Sequence, residues 1–161
     1  RCVGYNNDVN VTIVDLPGQI GMMKENIVGK DGADRISGFP TNILDMHNEL
    51  PQGSWDAIWM SQFLDCFSEE EIYSILARAA KVMSSDTTLY IMETFWDRQK
   101  YEPASLCLTM TSVYFTVMAN GNSKMYHSDD MIQQIDRAGL KVVNTYDGIG
   151  QGHTILEVKL K

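Results

Sequence analysis

The apolar positions of this chain fall into two kinds of burst. "VTIVD" (11–15) is β-branched and nearly uninterrupted, the pattern of a buried strand. Pro17 suits the first turn of a helix, Ile20, Met23 and Ile27 then recur on one helical face, and Gly29 is a fitting stop. "RISGF" (35–39) predicts a weaker strand and "WDAIWMSQF" (55–63) a stronger one. "SEEE" (68–71) has the form of a capping box, Ser68 as N-cap and Glu71 three residues on, before a helix with Ile72, Ile75, Leu76, Ala79 and Met83 on one side. "TTLYIME" (87–93) predicts a second buried strand that ends, like the first, on an acid. Residues 104–119 are apolar, Met-rich and helical in pattern, and Ser128 caps a last helix ending near Gly139. "KVVNTYD" (141–147) and "HTILEVKL" (153–160) finish as strands joined by "GIGQG".

Strands separated by helices imply βαβ units and a mainly parallel sheet. The last two strands have no helix between them and pair as an antiparallel hairpin. The expectation is one α/β domain over residues 1–161, with a Rossmann-like, doubly wound sheet of six strands in which only the last is reversed. A chain of 161 residues can bury a real core, and 44% hydrophobic with 21% charged residues is ordinary for a soluble protein. The net charge of −8 argues against nucleic acid as a partner, because phosphate binding needs clustered Lys and Arg. No apolar run approaches the roughly 18 residues of a membrane span, and no signal peptide is evident. Cys2, Cys66 and Cys107 are scattered and odd in number, and His47, His127 and His153 have no ligand spacing, so free thiols in a reducing cytoplasm and no built-in metal are expected.

The chemistry begins at Asp15. In open α/β sheets ligands bind beyond the carboxyl ends of the strands. An acid at the end of the second strand, about 20 residues after a glycine-rich turn, offers two acceptor oxygens to the vicinal hydroxyls of a ribose. No such turn precedes Asp15; "RCVGYNNDVN" reads as a helix tail and a loop. "VTIVD" is therefore expected to be a second strand, with the first strand and its turn lying before Arg1. An ordinary helix N-cap aspartate accounts for Asp15 equally well.

Taken in order, "VTIVDLP", "SWDAIWMSQFLDCFSEEE", "TTLYIMETFWD" and the terminal "HTILEVK" resemble the S-adenosylmethionine-dependent O-methyltransferases, in the group of plant caffeate and hydroxyindole methyltransferases and their bacterial relatives. The resemblance covers essentially the whole chain as a class I methyltransferase catalytic domain, truncated at its N-terminus: it lacks the family's first strand, glycine loop and N-terminal helical dimerisation domain. It implies S-adenosylmethionine as cofactor, a small, aromatic hydroxyl acceptor as substrate, and a homodimer in the full-length protein. It places Asp15 on the cofactor's ribose and Leu16 against the adenine. "GFPTNILD" (38–45) then matches the adenine-reading segment, with Asn42 and Ile43 where the family has an acid and an apolar residue, and Asp45 as a substitute acid. Ser61 and Gln62 match positions beside the methionine part.

At the family's general-base histidine this chain has Asp65, in "LDCFSEE" (64–70). A free aspartate, with a pKa near 4, is a poor base for a phenol near 10 unless burial raises it, and Phe63, Phe67 and Trp59 are the side chains available to do so. Asp65 can instead orient an acceptor hydroxyl, bind a cationic acceptor for N-methylation, or be an inert residue before the Ser68 cap. Glu93 matches the first helper acid. The second aligns with Met125, and His127 is a titratable group two residues on. Met60, Met110, Tyr114, Phe115 and Met118 are candidates for the acceptor pocket. Two other classes stay open: an NAD-type Rossmann oxidoreductase using Asp15, and a non-catalytic cofactor-binding or interaction module.

Overall fold

The β-branched run at the start and the glycine-containing run after it form a pair of parallel strands, β1 (Val11–Asp15) and β2 (Ile36–Pro40), in register from Val11↔Ile36 to Asp15↔Pro40. They belong to a computed structural model that describes residues 1–118 and 121–161 as two compact units, Arg1–Pro51 and Gln52–Lys161. In the first unit α1 (Cys2–Tyr5) precedes β1, and α2 (Pro17–Ile27) is the crossover, with Pro at its first position as the sequence predicts. Ile20 is the buried residue of α2. Gly38 lets that helix close on β2, since a Cβ there would stand 2.6 Å from Ile20 Cγ2. Arg35 ties the N-terminal segment down by donating to the carbonyls of Val3, Asn6 and Val9.

The second unit contains β3 (Ala57–Ser61), α3 (Glu69–Val82), β4 (Thr88–Glu93), α4 (Glu102–Met118), α5 (Ser128–Arg137), β5 (Leu140–Ile149) and β6 (His153–Leu160). The strand order is β3-β4-β6-β5, with β3 parallel to β4 and β6 antiparallel to both its neighbours. The reversed last strand is thus present, and Glu93 at the end of β4 stands opposite Thr154 of β6. Leu89 and Ile91 of β4, Leu156 and Val158 of β6, Ile72, Ile75 and Leu76 of α3, and Met131 and Ile135 of α5 are all 1% exposed or less and make the core. Across its rim Arg137 of α5 pairs with Glu70 of α3 and lies 4.6 Å from the Tyr73 ring.

Two expectations are corrected. The six strands form two sheets, of two and four strands, not one. The reason lies in the open edges: β1 pairs only with β2, β3 pairs only with β4, and no strand among the described residues occupies the remaining edge of either. The cap of α5 is His127, whose Nδ1 accepts from the Asp129 amide at 3.1 Å. Ser128 is already inside the helix and bonds Asp97 through its amide and its Oγ. The capping box of α3 is as expected, with Glu71 Oε2 accepting from both Ser68 N and Ser68 Oγ at 2.8 Å. The apolar helix α4 spans 102–118, inside the 104–119 expected apart from its start, and buries no residue fully. Ala119 falls outside the described residues. No helix among the described residues is long and apolar enough to cross a membrane.

Candidate functional site

The carboxyl ends of β3 and β4 meet in one cluster. β3 ends at Ser61, and Gln62 then takes a left-handed conformation (φ 49°), the one non-glycine residue among those described with positive φ. Its amide donates to Met92 O at 2.9 Å, which fixes the turn to β4. Strain of this kind costs about 1–3 kcal/mol and persists where the surroundings over-determine it. The turn leads into a 3-10 turn, Leu64–Cys66, with Leu64 fully buried.

Glu93, 2% exposed, sits under that turn. Its Oε1 accepts from the amides of Phe63 at 2.9 Å and Leu64 at 2.8 Å. Its Oε2 is buried with no hydrogen-bond partner among the described residues. Burial, and next the charge of Asp65, push the Glu93 carboxyl up to about 7, against the backbone N–H groups of residues 63–65 that favour the ionised form. Asp65 is also raised, chiefly by burial, while the Cys66 thiol and the amides of residues 65 and 66 hold it down. The Cys66 thiol is raised by burial, by the charge of Asp65 and its hydrogen bond, and by the charge of Glu93. Phe63 and Phe67 stand edge to face at 4.9 Å beside this turn, whereas Trp59 is 56% exposed and leans on Tyr90.

A second segment straps the turn from outside. Lys124 N donates to Asp65 O at 3.0 Å, Ser123 Oγ to Cys66 O at 3.3 Å, and Tyr126 OH to Phe67 O at 2.5 Å. Burial and the surrounding carboxylates raise the Tyr126 hydroxyl far above the ordinary phenol range, so it stays a donor. Lys124 Nζ turns away to Glu69 at 2.9 Å. Met125 bonds Ser112 and Thr94 and supplies no acid. His127 is engaged at the start of α5, with Nε2 3.8 Å from Asp97 Oδ2 and its ring 4.8 Å from Trp96.

The other candidates fall elsewhere. Met60 is buried within β3, while Met110, Tyr114 and Met118 are more than half exposed on α4, and Phe115 lies against Tyr114. In the first unit Asp15 ends β1 and is exposed; its Oδ1 accepts from Leu16 N at 2.7 Å. The N-cap of α2 is Leu16, with no side-chain cap bond, so the ordinary cap reading of Asp15 fails and Oδ2 is left unengaged among the described residues. Asn42 Oδ1 accepts from Leu44 N and Asp45 Oδ1 from His47 N, each making a local turn, with Ile43 half-buried between them. Cys66, expected only as a free thiol, donates from Sγ to Asp65 Oδ1 at 3.6 Å; its place next to Asp65 was the available signal. Among the described residues no group of three or more His, Cys, Asp or Glu is placed to hold a metal ion.

No protein-family model matches the chain, and no curated protein matches it. Solved structures do. The mitomycin 7-O-methyltransferase MmcR matches with TM-score 0.82 at 18% identity, over 99% of this chain and 44% of its own. The O-methyltransferase NcsB1 of neocarzinostatin biosynthesis, solved with S-adenosyl-L-homocysteine and 1,4-dihydroxy-2-naphthoic acid, matches with TM-score 0.79 at 16% identity, over 99% and 44%. The S-adenosylmethionine-dependent methyltransferase SibL matches with TM-score 0.80 at 20% identity, over 98% and 45%. The chain has the class I methyltransferase fold of these proteins and spans less than half of their length.

Proposed function

We propose that this chain is the catalytic part of a longer S-adenosylmethionine-dependent methyltransferase that methylates a hydroxyl of a small aromatic molecule. The observation that carries the reading is the pairing of Asp65 and Glu93 at the carboxyl edge of β3 and β4, where open α/β sheets place their ligands. It is supported by the fold, and by NcsB1, which was solved with S-adenosyl-L-homocysteine and a dihydroxynaphthoic acid. A homodimer in the cytoplasm goes with the same reading.

Asp15 fits the cofactor: its carboxylate is exposed, ends a strand and does not cap α2. Within the first unit it is assigned to the ribose hydroxyls, and Leu16, Asn42 and Ile43 to the adenine; within the second unit, Ser61 and Gln62 are assigned to the methionine part. The bound cofactor supplies an electrophilic methyl on a sulfonium, a good leaving group. The chain's share is then alignment and proton handling. Glu93 fixes the backbone of residues 63–64 and so sets where Asp65 stands. Asp65 accepts a hydrogen bond from the acceptor hydroxyl and, with its carboxyl raised, moves toward the basicity a general base needs. His127 is a secondary candidate whose engagement as a cap favours a structural role. Met60, Met110, Tyr114 and Met118 are the proposed acceptor-pocket residues.

Calorimetry on the full-length protein tests the cofactor. S-adenosylhomocysteine is expected to bind and NADH not to, and Asp15→Ala to weaken binding by about 1.5–3 kcal/mol through loss of a charge-assisted contact. Unchanged affinity in that variant would remove Asp15 from the site. A methyl-transfer assay on hydroxyarenes follows. Cofactor binding without transfer to any acceptor would favour the non-catalytic module, which the replacement of the family's histidine by Asp65 also suits.

A further inference from the structure

We propose that the depression between the turn after β4 and the β5–β6 turn is a binding site for a small aromatic carboxylate, separate from the Asp65–Glu93 cluster. The cavity measures about 520 Å³, within the usual range for small-molecule sites. Arg98, Lys100 and Tyr101 line one side; Asp147, Gly148, Gly150 and Gly152 line the other. Two cations thus face one acid, in a chain whose net charge is −8.

The acid is already satisfied. Asp147 Oδ2 takes Arg98 Nη1 at 2.9 Å and Asp147 Oδ1 takes Thr154 Oγ1 at 2.8 Å. Lys100 forms no ion pair among the described residues; its Nζ stands 5.4 Å from the centre of the Tyr101 ring. A carboxylate entering here meets the Lys100 ammonium next to Tyr101, a residue 63% exposed, on whose ring an aromatic body can stack. Gly148, Gly150 and Gly152 all have positive φ, at 70°, 57° and 93°, so three positions of the far wall are held in backbone conformations that favour glycine and add no side chain, which leaves Asp147 and Gln151 as its side chains. Both rims are fixed by Gln99, whose Nε2 donates to Phe95 O at 2.7 Å and Gly152 O at 2.9 Å. A Cβ on Gly152 would stand 2.5 Å from Gln99 Oε1, so the clamp depends on that glycine. The site is therefore built before any ligand arrives, which spares a ligand the cost of ordering it.

The test uses the full-length protein labelled with 15N-glycine, with no cofactor present, so it does not depend on the methyltransferase reading. Benzoate is titrated, with benzamide as the neutral isostere and inorganic phosphate as a non-aromatic anion. The expected result is a saturable shift of the Gly148, Gly150 and Gly152 amides with benzoate, at least fivefold weaker with either control. Lys100→Ala, at an exposed position that cannot disturb the core, should weaken benzoate at least fivefold. No saturable shift at these glycines, benzamide matching benzoate, or an unchanged affinity in Lys100→Ala would each overturn the proposal. Phosphate binding more tightly than benzoate would overturn the aromatic assignment.

Discussion

Glu93 shows how much one residue decides at this site. It is an acid kept from water, with one oxygen on the amides of Phe63 and Leu64 and the other without a hydrogen-bond partner among the described residues. Its carboxyl is raised from 4.5 to about 7, so between those values the folded chain holds a proton that the unfolded chain releases. Stability must then fall as pH rises through that window and level off above it, by about 3 kcal/mol in all. Urea midpoints at pH 5 and pH 8 should differ in that direction, and the difference should shrink markedly in Glu93→Gln, which keeps an oxygen acceptor for the Phe63 and Leu64 amides. A variant with the same pH slope as the parent would show that Glu93 is ionised throughout. Asp65 calls for kinetics. Asp65→Asn should lower turnover by about tenfold to a hundredfold with a rise in KM, less than loss of a full general base, because an aspartate is a better anchor than a base. Unchanged kcat and KM would make Asp65 structural. The sequence made both acids visible, since each ends or follows a buried strand. It did not show that Glu93 works through backbone amides, because a carboxylate's partners are set by the turn that closes over it, and that turn depends on the left-handed Gln62.

Among the elements, the start of α3 was legible and that of α5 was not, for a local reason; Met83, expected on the apolar side of α3, is its C-cap instead. Ser68 and Glu71 satisfy each other within four residues, so the start of α3 is written in its own sequence. Ser128 looks like the same signal, but Asp97 from the turn after β4 takes both its amide and its hydroxyl, and His127 caps the helix instead. A tertiary partner outcompetes the local cap, and a serine in sequence cannot announce that. The α3 box has a further role, since Asn122 Nδ2 also donates to Glu71 Oε2. Glu71 therefore joins the helix start to the segment that straps Asp65. Glu71→Ala should cost about 1–2 kcal/mol, more than loss of a lone exposed cap bond, and Ser68→Ala about 1 kcal/mol. Thermal unfolding of the two variants checks the order; equal losses would mean the Asn122 link contributes nothing.

At the scale of the whole chain, the sequence carried the strand sequence and the reversed last strand but not the sheet count. Periodicity reports which residues are strands; it is silent on which edges find partners, and β1 and β3 each keep an open edge among the described residues. Nor did it show that the most apolar helix is the least buried. Leu106, Met110, Val113, Tyr114, Val117 and Met118 of α4 are all more than half exposed, while β4 and β6 bury alternate residues completely. An all-round apolar pattern reads as a core helix, yet here the core is filled by α3 and α5, whose apolar residues are confined to one face. This unevenness should appear in native-state hydrogen exchange of the 161-residue chain. Opening free energies scale with buried contacts, so amides of α4 should exchange early, through local opening, while those of β4, β6 and α3 exchange last and together, near the global limit. Protection in α4 equal to that of β4 would mean the helix is held by more than the half-buried face seen on Ser105, Leu108, Ser112 and Phe115. Early exchange would place the Met110, Tyr114 and Met118 side chains on a surface able to reshape around an acceptor, as the proposed pocket requires.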